Sequence, residues 1–472
     1  MSAQLASIII QLVSLLILSR LLDPEDFGVI AMITAITALM GLFKDMGLST
    51  AAVQRGDLSY EQTNSLFWLN ALAGCALTLI VIAASPAIAL FYNDPRLQPV
   101  TMLLACTFLV SGIGGQHAAL LQRKLQFKKK AIAEVSGAVV SVAISIVLAV
   151  AGWRYWALAW GTLAGALVTT TFYFTFSGFI PSSPRGAKGT RELLGFGAHV
   201  TGFELVNYFH RNLDNVLIGR FWGAIELGFY SRAYQMMMLP ITSLRTPINA
   251  VAFPVLSKLK ESPEEFRKYY RNIASLLAFI SMPLMAFLTV NTQDVVVVAL
   301  GDDWIAIAPI FMLLGITGFI QPVASLRGLV MLSLGRSGRY LSWGVVNALT
   351  VSVAFCIGTF WGSVGVAAAY AISNYLILYP SLVFAFKDTP LRSLDFFDTT
   401  ALPAVASLVS AGVCATLHNS FSTSSPTLRL LTSTGAFALT FALIYMSAPR
   451  GRREVSMYYK LAISALRKQR TV

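Results

Sequence analysis

The sequence predicts an all-α polytopic membrane protein. Its parts are two six-helix lobes related by a parallel pseudo-repeat and two further C-terminal helices. Three observations predict this. Hydrophobic residues make up 56% of the chain and charged residues 12%, with a mean hydropathy of +0.68, whereas a soluble domain carries roughly 25% charged residues. The apolar residues fall in about fourteen runs of roughly 20 residues, the length that crosses the hydrocarbon core as helix. The first half also resembles the second. Ser19-Arg20-Leu21-Leu22 before Phe27-Gly28-Val29 matches Gly219-Arg220-Phe221-Trp222 before Leu227-Gly228-Phe229, and Pro99-Val100-Thr101-Met102 matches Pro309-Ile310-Phe311-Met312.

The spans are expected at 4–22, 27–47, 63–90, 100–120, 131–151, 155–177, 195–219, 229–257, 271–290, 304–332, 340–360, 363–386, 397–417 and 428–448. Residues 178–194, with Pro181, Ser182, Ser183, Pro184 and Gly186, read as a linker between lobes 1–177 and 195–386. Six spans separate the two copies, an even number, so both enter the membrane in the same direction, as in transporters with parallel repeats. Spans 397–448 lie outside the repeat. The tail 449–472 places Val455, Tyr458, Leu461, Ala462 and Leu466 among basic residues, the pattern of an amphipathic surface helix. The chain begins inside an apolar stretch, Leu5–Leu18, so a cleavable signal peptide is not expected.

Charge orients the chain. Most of the 35 Lys and Arg residues fall on one side, in the loops after even-numbered spans and in the tail. Arg20, Arg96, Arg154, Arg220 and Arg429 fall on the other, beside Asp23, Glu25, Asp26, Asp302 and Asp303. Cytoplasmic loops carry the excess of cations, so both termini are expected in the cytoplasm. The net charge of +13 reports this topology and contact with anionic lipid, and gives no reason to invoke nucleic acid. Arg123-Lys124 with Lys128-Lys129-Lys130 reads either as a cytoplasmic anchor or as a place to capture an anionic head group.

Polar groups inside the spans mark the candidate site. Span 7 carries Glu204, Asn207, Arg211, Asp214 and Asn215 at steps of three or four, hence along one face. Such a stripe cannot face lipid at mid-depth. Pairing of Arg211 with Asp214, or a water-filled cavity, would satisfy it. Span 8 carries Gln235, Thr242, Arg245 and Asn249, with Pro240 and Pro247 favouring a bend. Span 1 has a milder stripe of Gln4, Ser7, Gln11 and Ser14, compatible with helix packing or with a cavity wall. Arg327 and Arg232 are expected to snorkel to an interface, and Gln116-His117 is a weaker candidate for the cavity wall. Guanidinium groups match phosphate oxygens with paired hydrogen bonds. Substrate contact is therefore expected at Arg211, Arg245, Asn207, Gln235, Asn249 and Gln11. Glu204 and Asp214 are candidates for coupling H⁺ or Na⁺. At the offset of the repeat Arg211, Asp214 and Arg245 meet Gln11, Ser14 and Asp45, so the buried charge is not duplicated.

Catalytic patterns are not found. His117, His199, His210 and His418 make no ligand spacing, and Cys75, Cys106, Cys356 and Cys414 each sit alone in apolar surroundings. There is no phosphate-binding loop, nucleophile elbow or zinc-protease motif. The expectation is a transporter and not an enzyme, with no bound cofactor or metal.

Ser19-Arg20-Leu21-Leu22-Asp23-Pro24-Glu25-Asp26-Phe27-Gly28 resembles the ARLLSPEDFG signature of polysaccharide transporters, the Wzx- and WzxC-like flippases of the MOP superfamily. Arg211-Asn212-Leu213-Asp214-Asn215, Ile218-Gly219-Arg220, Leu227-Gly228-Phe229-Tyr230-Ser231-Arg232-Ala233-Tyr234, Leu239-Pro240, Phe253-Pro254 and Gly301-Asp302-Asp303-Trp304 extend the likeness over residues 5 to 390. Arg245 is not part of the signature. The resemblance implies an inner-membrane flippase for undecaprenyl-diphosphate-linked oligosaccharide, moving it from the cytoplasmic to the periplasmic leaflet for exopolysaccharide, capsule or O-antigen synthesis. It implies two lobes alternating access to a central cavity, extra helices that shape a lipid groove, and polysaccharide polymerase and co-polymerase proteins as partners. A MATE-like exporter of small molecules has the same architecture and stays open as an alternative. A membrane glycan polymerase or ligase is disfavoured, because no large external loop is present.

Overall fold

The computed structural model describes residues 2–45, 59–183, 190–420 and 425–469, with side chains placed for 4–42, 59–183, 212–417 and 425–459. The chain packs as two compact units, residues 1–231 with 359–363, and 232–358 with 364–472.

The first unit holds α1 (Ser2–Leu21), α2 (Pro24–Asp45), α3 (Tyr60–Tyr92), α4 (Leu97–Arg123), α5 (Phe127–Val150), α6 (Tyr155–Ser177) and the first half of α7 (Thr190–Lys258). Local signals set the ends. Pro24 opens α2 with a ring already at helical φ. Ser59 and Gln62 form a reciprocal capping box at the start of α3, and Asn93 ends that helix in the left-handed conformation. Helices in lipid gain little from hydrophobicity against one another, so close packing and polar contacts hold them together. The Thr78 hydroxyl of α3 donates to the Ala105 carbonyl of α4 at 3.0 Å. Thr170 of α6 donates to the Val110 carbonyl of α4 at 3.1 Å. The residues after α6 run back along α3, where Trp68 Nε1 donates to the Ser182 carbonyl at 2.7 Å and Asn64 Nδ2 to that of Ser183 at 3.1 Å.

α7 corrects one expectation. Spans 7 and 8 are two helices, as expected, but they meet at a sharp kink at Gly223, where φ is 82° and ψ −174°, in place of a longer loop. That conformation suits glycine, which has no Cβ to clash. The turn around Gly223 brings the flank that follows it against α2. A Cβ on Gly28 would lie 1.7 Å from the Ala224 carbonyl oxygen, and one on Gly228 would lie 1.8 Å from that of Pro24.

The second unit continues with the rest of α7, then α8 (Pro263–Val290), α9 (Thr292–Ala299), α10 (Ala308–Ala324), α11 (Leu326–Ser333), α12 (Ser337–Gly358), α13 (Gly362–Leu376), α14 (Leu378–Phe386), α15 (Ser393–Ser420), α16 (Pro426–Ser447) and α17 (Pro449–Gln469), with Gly362 and Ser363 of α13 grouped in the first unit. The short helix α9 was not expected. The expected span 304–332 is a 3-10 turn, Asp302–Ile307, followed by α10 and α11, which break at Ser325. Pro322 lies one turn before that break and lacks an N–H for the helix ladder. Phe266, Tyr270 and Leu277 of α8, Val330 of α11, Leu382 of α14 and Phe396 of α15 share one buried core.

Among the described residues, eleven helical stretches are long and apolar enough to cross a bilayer. One runs 50 residues, Ser337–Phe386, and contains two expected spans. α7 is too polar to qualify on composition, in keeping with the stripes on spans 7 and 8.

Candidate functional site

The polar stripe of α7 is the candidate site, and the structure describes part of it. The side chains of Glu204, Asn207 and Arg211 lie outside the described residues. Asp214 is buried, with 3% of its surface exposed. Its Oδ2 accepts from the Tyr230 hydroxyl at 2.8 Å, and its Oδ1 accepts from the Asn215 N–H at 2.8 Å. Tyr230 lies beyond the break at Gly223, so this bond ties the two flanks of the turn together.

Further along α7, Gln235 accepts from Arg232 Nη1 at 2.5 Å. Arg232 is 7% exposed and packs inward, in place of the expected reach to an interface. The acceptor one turn ahead supplies the reason. Arg245 is half-buried and has no hydrogen-bond or ion-pair partner among the described residues. Asn249, one turn later, holds a buried Oδ1 that also lacks a protein donor. Arg245 and Asn249 thus present a cation and an amide on adjacent turns of one helix. Gln11 is exposed on α1, among exposed Leu12, Val13 and Leu16.

One expectation outside α7 changes. Gln116 and His117 are wholly buried, so they line no cavity of their unit. His117 Nδ1 lies 2.8 Å from the Ser177 hydroxyl, and its ring packs between Phe67, Phe174 and Phe179. Arg327 is half-buried in the second unit.

The repeated motif is architectural, as its position at helix turns indicates. Around the first copy, Arg154 of the α5–α6 turn reaches Asp23 at 3.2 Å and Asp26 at 3.4 Å. The Tyr155 N–H donates to Asp26 at 3.2 Å, and Arg96 of the α3–α4 turn pairs with Glu25 at 2.8 Å. Around the second copy, the Ser363 hydroxyl donates to Glu226, and Trp222 Nε1 donates to the Thr359 carbonyl at 2.7 Å. Asp26 and Glu226 are equivalent in the repeat, and each binds the turn before the copy's last expected span.

Sequence reasoning missed two clamps in the second unit. Asp395, fully buried at the start of α15, accepts from Arg267 at 2.8 Å and Arg271 at 2.6 Å, both on α8. Asp294 of α9, 1% exposed, pairs with Arg429 of α16 at 2.5 Å. The spacing of Arg267 and Arg271, one helical turn, was the available signal for the first. Among the described residues no three His, Cys, Asp or Glu side chains come together to hold a metal ion.

The fold matches known transporters. It superposes on the lipid II flippase MurJ in an inward closed conformation with a TM-score of 0.79, over 94% of this chain and 98% of that one, at 14% identity. It also matches an inward-facing multidrug resistance MATE family transporter of the MOP superfamily, with a TM-score of 0.62 over 80% and 93% of the two chains at 15% identity. The chain is therefore a multi-pass integral membrane protein with the fold of the MOP transporters. In sequence it is similar to the teichuronic acid biosynthesis protein TuaB of Bacillus subtilis (strain 168), 27% identical over 93% of this chain and 92% of the relative. It is similar to the lipopolysaccharide biosynthesis protein WzxC of Escherichia coli (strain K12), 27% identical over 76% and 74%. The succinoglycan biosynthesis transport protein ExoT of Rhizobium meliloti (strain 1021) is 23% identical over 93% and 90%. The profile of the polysaccharide biosynthesis protein family matches residues 17–309, and the chain belongs to that family.

Proposed function

We propose that this protein is a flippase of the bacterial inner membrane. It moves an undecaprenyl-diphosphate-linked oligosaccharide from the cytoplasmic to the periplasmic leaflet, for exopolysaccharide, capsule or O-antigen synthesis. The observation that carries this reading is membership of the polysaccharide biosynthesis family on a fold shared with a lipid flippase. The cycle is alternating access of two repeats, with no covalent chemistry. Both termini lie in the cytoplasm, on the side of the basic loops. Polysaccharide polymerase and co-polymerase proteins take up the product on the far side.

Arg211 and Arg245 hold the diphosphate, because a guanidinium offers paired donors to phosphate oxygens. The half-buried Arg245, without a protein partner among the described residues, supports that assignment. Asn207, Gln235, Asn249 and Gln11 supply further polar contacts. Glu204 and Asp214 couple the cycle to H⁺ or Na⁺. The MATE-like fold equally serves small-molecule exporters, and one experiment separates the readings. A deletion strain should accumulate lipid-linked oligosaccharide in its cytoplasmic leaflet and lose surface polysaccharide. Normal polysaccharide with altered drug tolerance would exclude the flippase.

A further inference from the structure

The second unit holds a groove of about 470 Å³ between the C-terminal part of α7, the first half of α8 and the tail helix α17. Pro247, Ile248 and Val251 line it from α7, Ile273 and Leu276 from α8, and Met457 from α17. None of these residues belongs to the transport stripe. The tail helix is fastened over the groove. The Tyr458 hydroxyl donates to the Ser275 hydroxyl at 3.0 Å, and its ring lies 5.3 Å from Phe279. Arg450 Nε donates to Glu454 at 2.8 Å, and the Tyr445 hydroxyl donates to the same carboxylate.

Charge selects the occupant. Arg453 precedes Met457 by one turn, and Lys268 precedes Asn272 of the groove lining by one turn, so each cation shares a face with a lining residue. Both cations are exposed, and Lys268 also lies 3.7 Å from the Glu265 carboxylate on its own turn. Lys258 and Lys260 flank the α7–α8 turn at the same end of α8, with Glu261 3.9 Å from Lys260. Over its length α17 sets Arg450, Arg452, Arg453, Lys460, Arg467 and Lys468 against Glu454 alone. A hydrocarbon slot with a cationic mouth fits an amphiphile with an anionic head. At roughly 30 Å³ per non-hydrogen atom, the share of a water molecule, the groove has room for one acyl chain.

We propose that this groove binds one acyl chain of an anionic phospholipid of the bilayer, with its phosphate at Lys268 and Arg453. The bound lipid seats the tail helix on the second unit and is not the transported substrate.

Native mass spectrometry of the full-length protein in detergent tests this. Phosphatidylglycerol or phosphatidylcholine with identical chains is added at equal ratio. The protein should retain phosphatidylglycerol preferentially. Lys268→Gln and Arg453→Gln should each lower that retention about fivefold, equivalent to ~1 kcal/mol per cation at an anionic surface. Both change exposed side chains, and size-exclusion chromatography confirms that they fold. Val251→Trp, which fills the groove, should lower retention of both lipids. Equal retention of the two lipids overturns the proposal. So does unchanged retention in the two charge variants, or displacement of phosphatidylglycerol by undecaprenyl phosphate at equal concentration.

Discussion

Gly28 and Gly228 make the same backbone contact in opposite directions. The Cβ position of Gly28 meets the Ala224 carbonyl, and that of Gly228 meets the Pro24 carbonyl. The two positions are equivalent in the repeat, so the crossing is symmetric about the relation between the copies. A methyl group at either must displace backbone, since neither neighbour is a side chain that can turn away. Gly28→Ala and Gly228→Ala should each destabilise the protein by about 1–3 kcal/mol, the cost of overpacking. Gly41→Ala on α2 is the control, with nothing among the described residues within 4 Å of its Cβ. Alanine there should be neutral or stabilising by up to ~1 kcal/mol, from helix propensity. Thermal denaturation in detergent measures all three, and equal melting of Gly28→Ala and Gly41→Ala would contradict the account.

Asp294 and Arg429 tie α9 to α16 through a nearly buried pair. Removing either partner alone leaves a desolvated charge, so the costs of Asp294→Ala and Arg429→Ala should sum to more than the cost of the double substitution. The coupling should be about 2 kcal/mol, the scale of a hydrogen bond to a charged group. A double-mutant cycle on unfolding midpoints measures it, and additive effects would show that the pair contributes nothing net.

These relationships show what a sequence can and cannot disclose. The apolar runs reveal the helices, because crossing hydrocarbon demands length and apolarity whatever the neighbours are. Ser59-x-x-Gln62 and Pro263 mark helix starts by chemistry that acts within one turn. The break at Ser325 and the short helix α9 depend on packing and leave only faint local signals. Asp294 and Arg429 lie 135 positions apart, and no local rule joins them. In the candidate site, the stripe on α7 was readable from helical periodicity, whereas the Tyr230 bond to Asp214 needed the turn at Gly223 to be known.

Acid should weaken the loop between α3 and α4. Burial alone would raise the Asp94 carboxyl pKa, but hydrogen bonds from the Arg96 side chain and N–H outweigh it and hold it below the ordinary value. A carboxylate with a depressed folded pKa stabilises the fold above its unfolded value, about 3.9 for Asp. That contribution disappears as pH falls through the folded value. The stability gap between the unaltered protein and Asp94→Asn should therefore be constant from neutral pH down to about pH 5 and shrink below it. A gap independent of pH would exclude ionisation of Asp94 as its source.

Asp214 and its partner can be separated by substitution. Tyr230→Phe removes one hydrogen bond and leaves the carboxyl, whereas Asp214→Asn removes the group that would exchange a cation. If Asp214 couples transport, Asp214→Asn should abolish dependence of polysaccharide export on the H⁺ or Na⁺ gradient. Tyr230→Phe should retain that dependence while lowering stability by about 1 kcal/mol. Equal loss of export in both variants, with equal loss of folded protein, would assign Asp214 a structural role only.

Arg245 offers the sharpest test of the substrate reading. Its charge is half-buried without a protein partner among the described residues, so its electrostatic work is available for a ligand. Arg245→Gln should reduce surface polysaccharide at least about tenfold, the loss of ~1.4 kcal/mol or more from a charge-assisted contact. Arg245→Lys should restore part of it, because an ammonium keeps the charge but not the paired donors of a guanidinium. A purely structural arginine would give a different order, with Gln tolerated whenever the protein folds and inserts at normal level. Rescue of export in a flippase-null strain, normalised to membrane abundance, distinguishes the two. Full rescue by Arg245→Gln would remove Arg245 from the transport path.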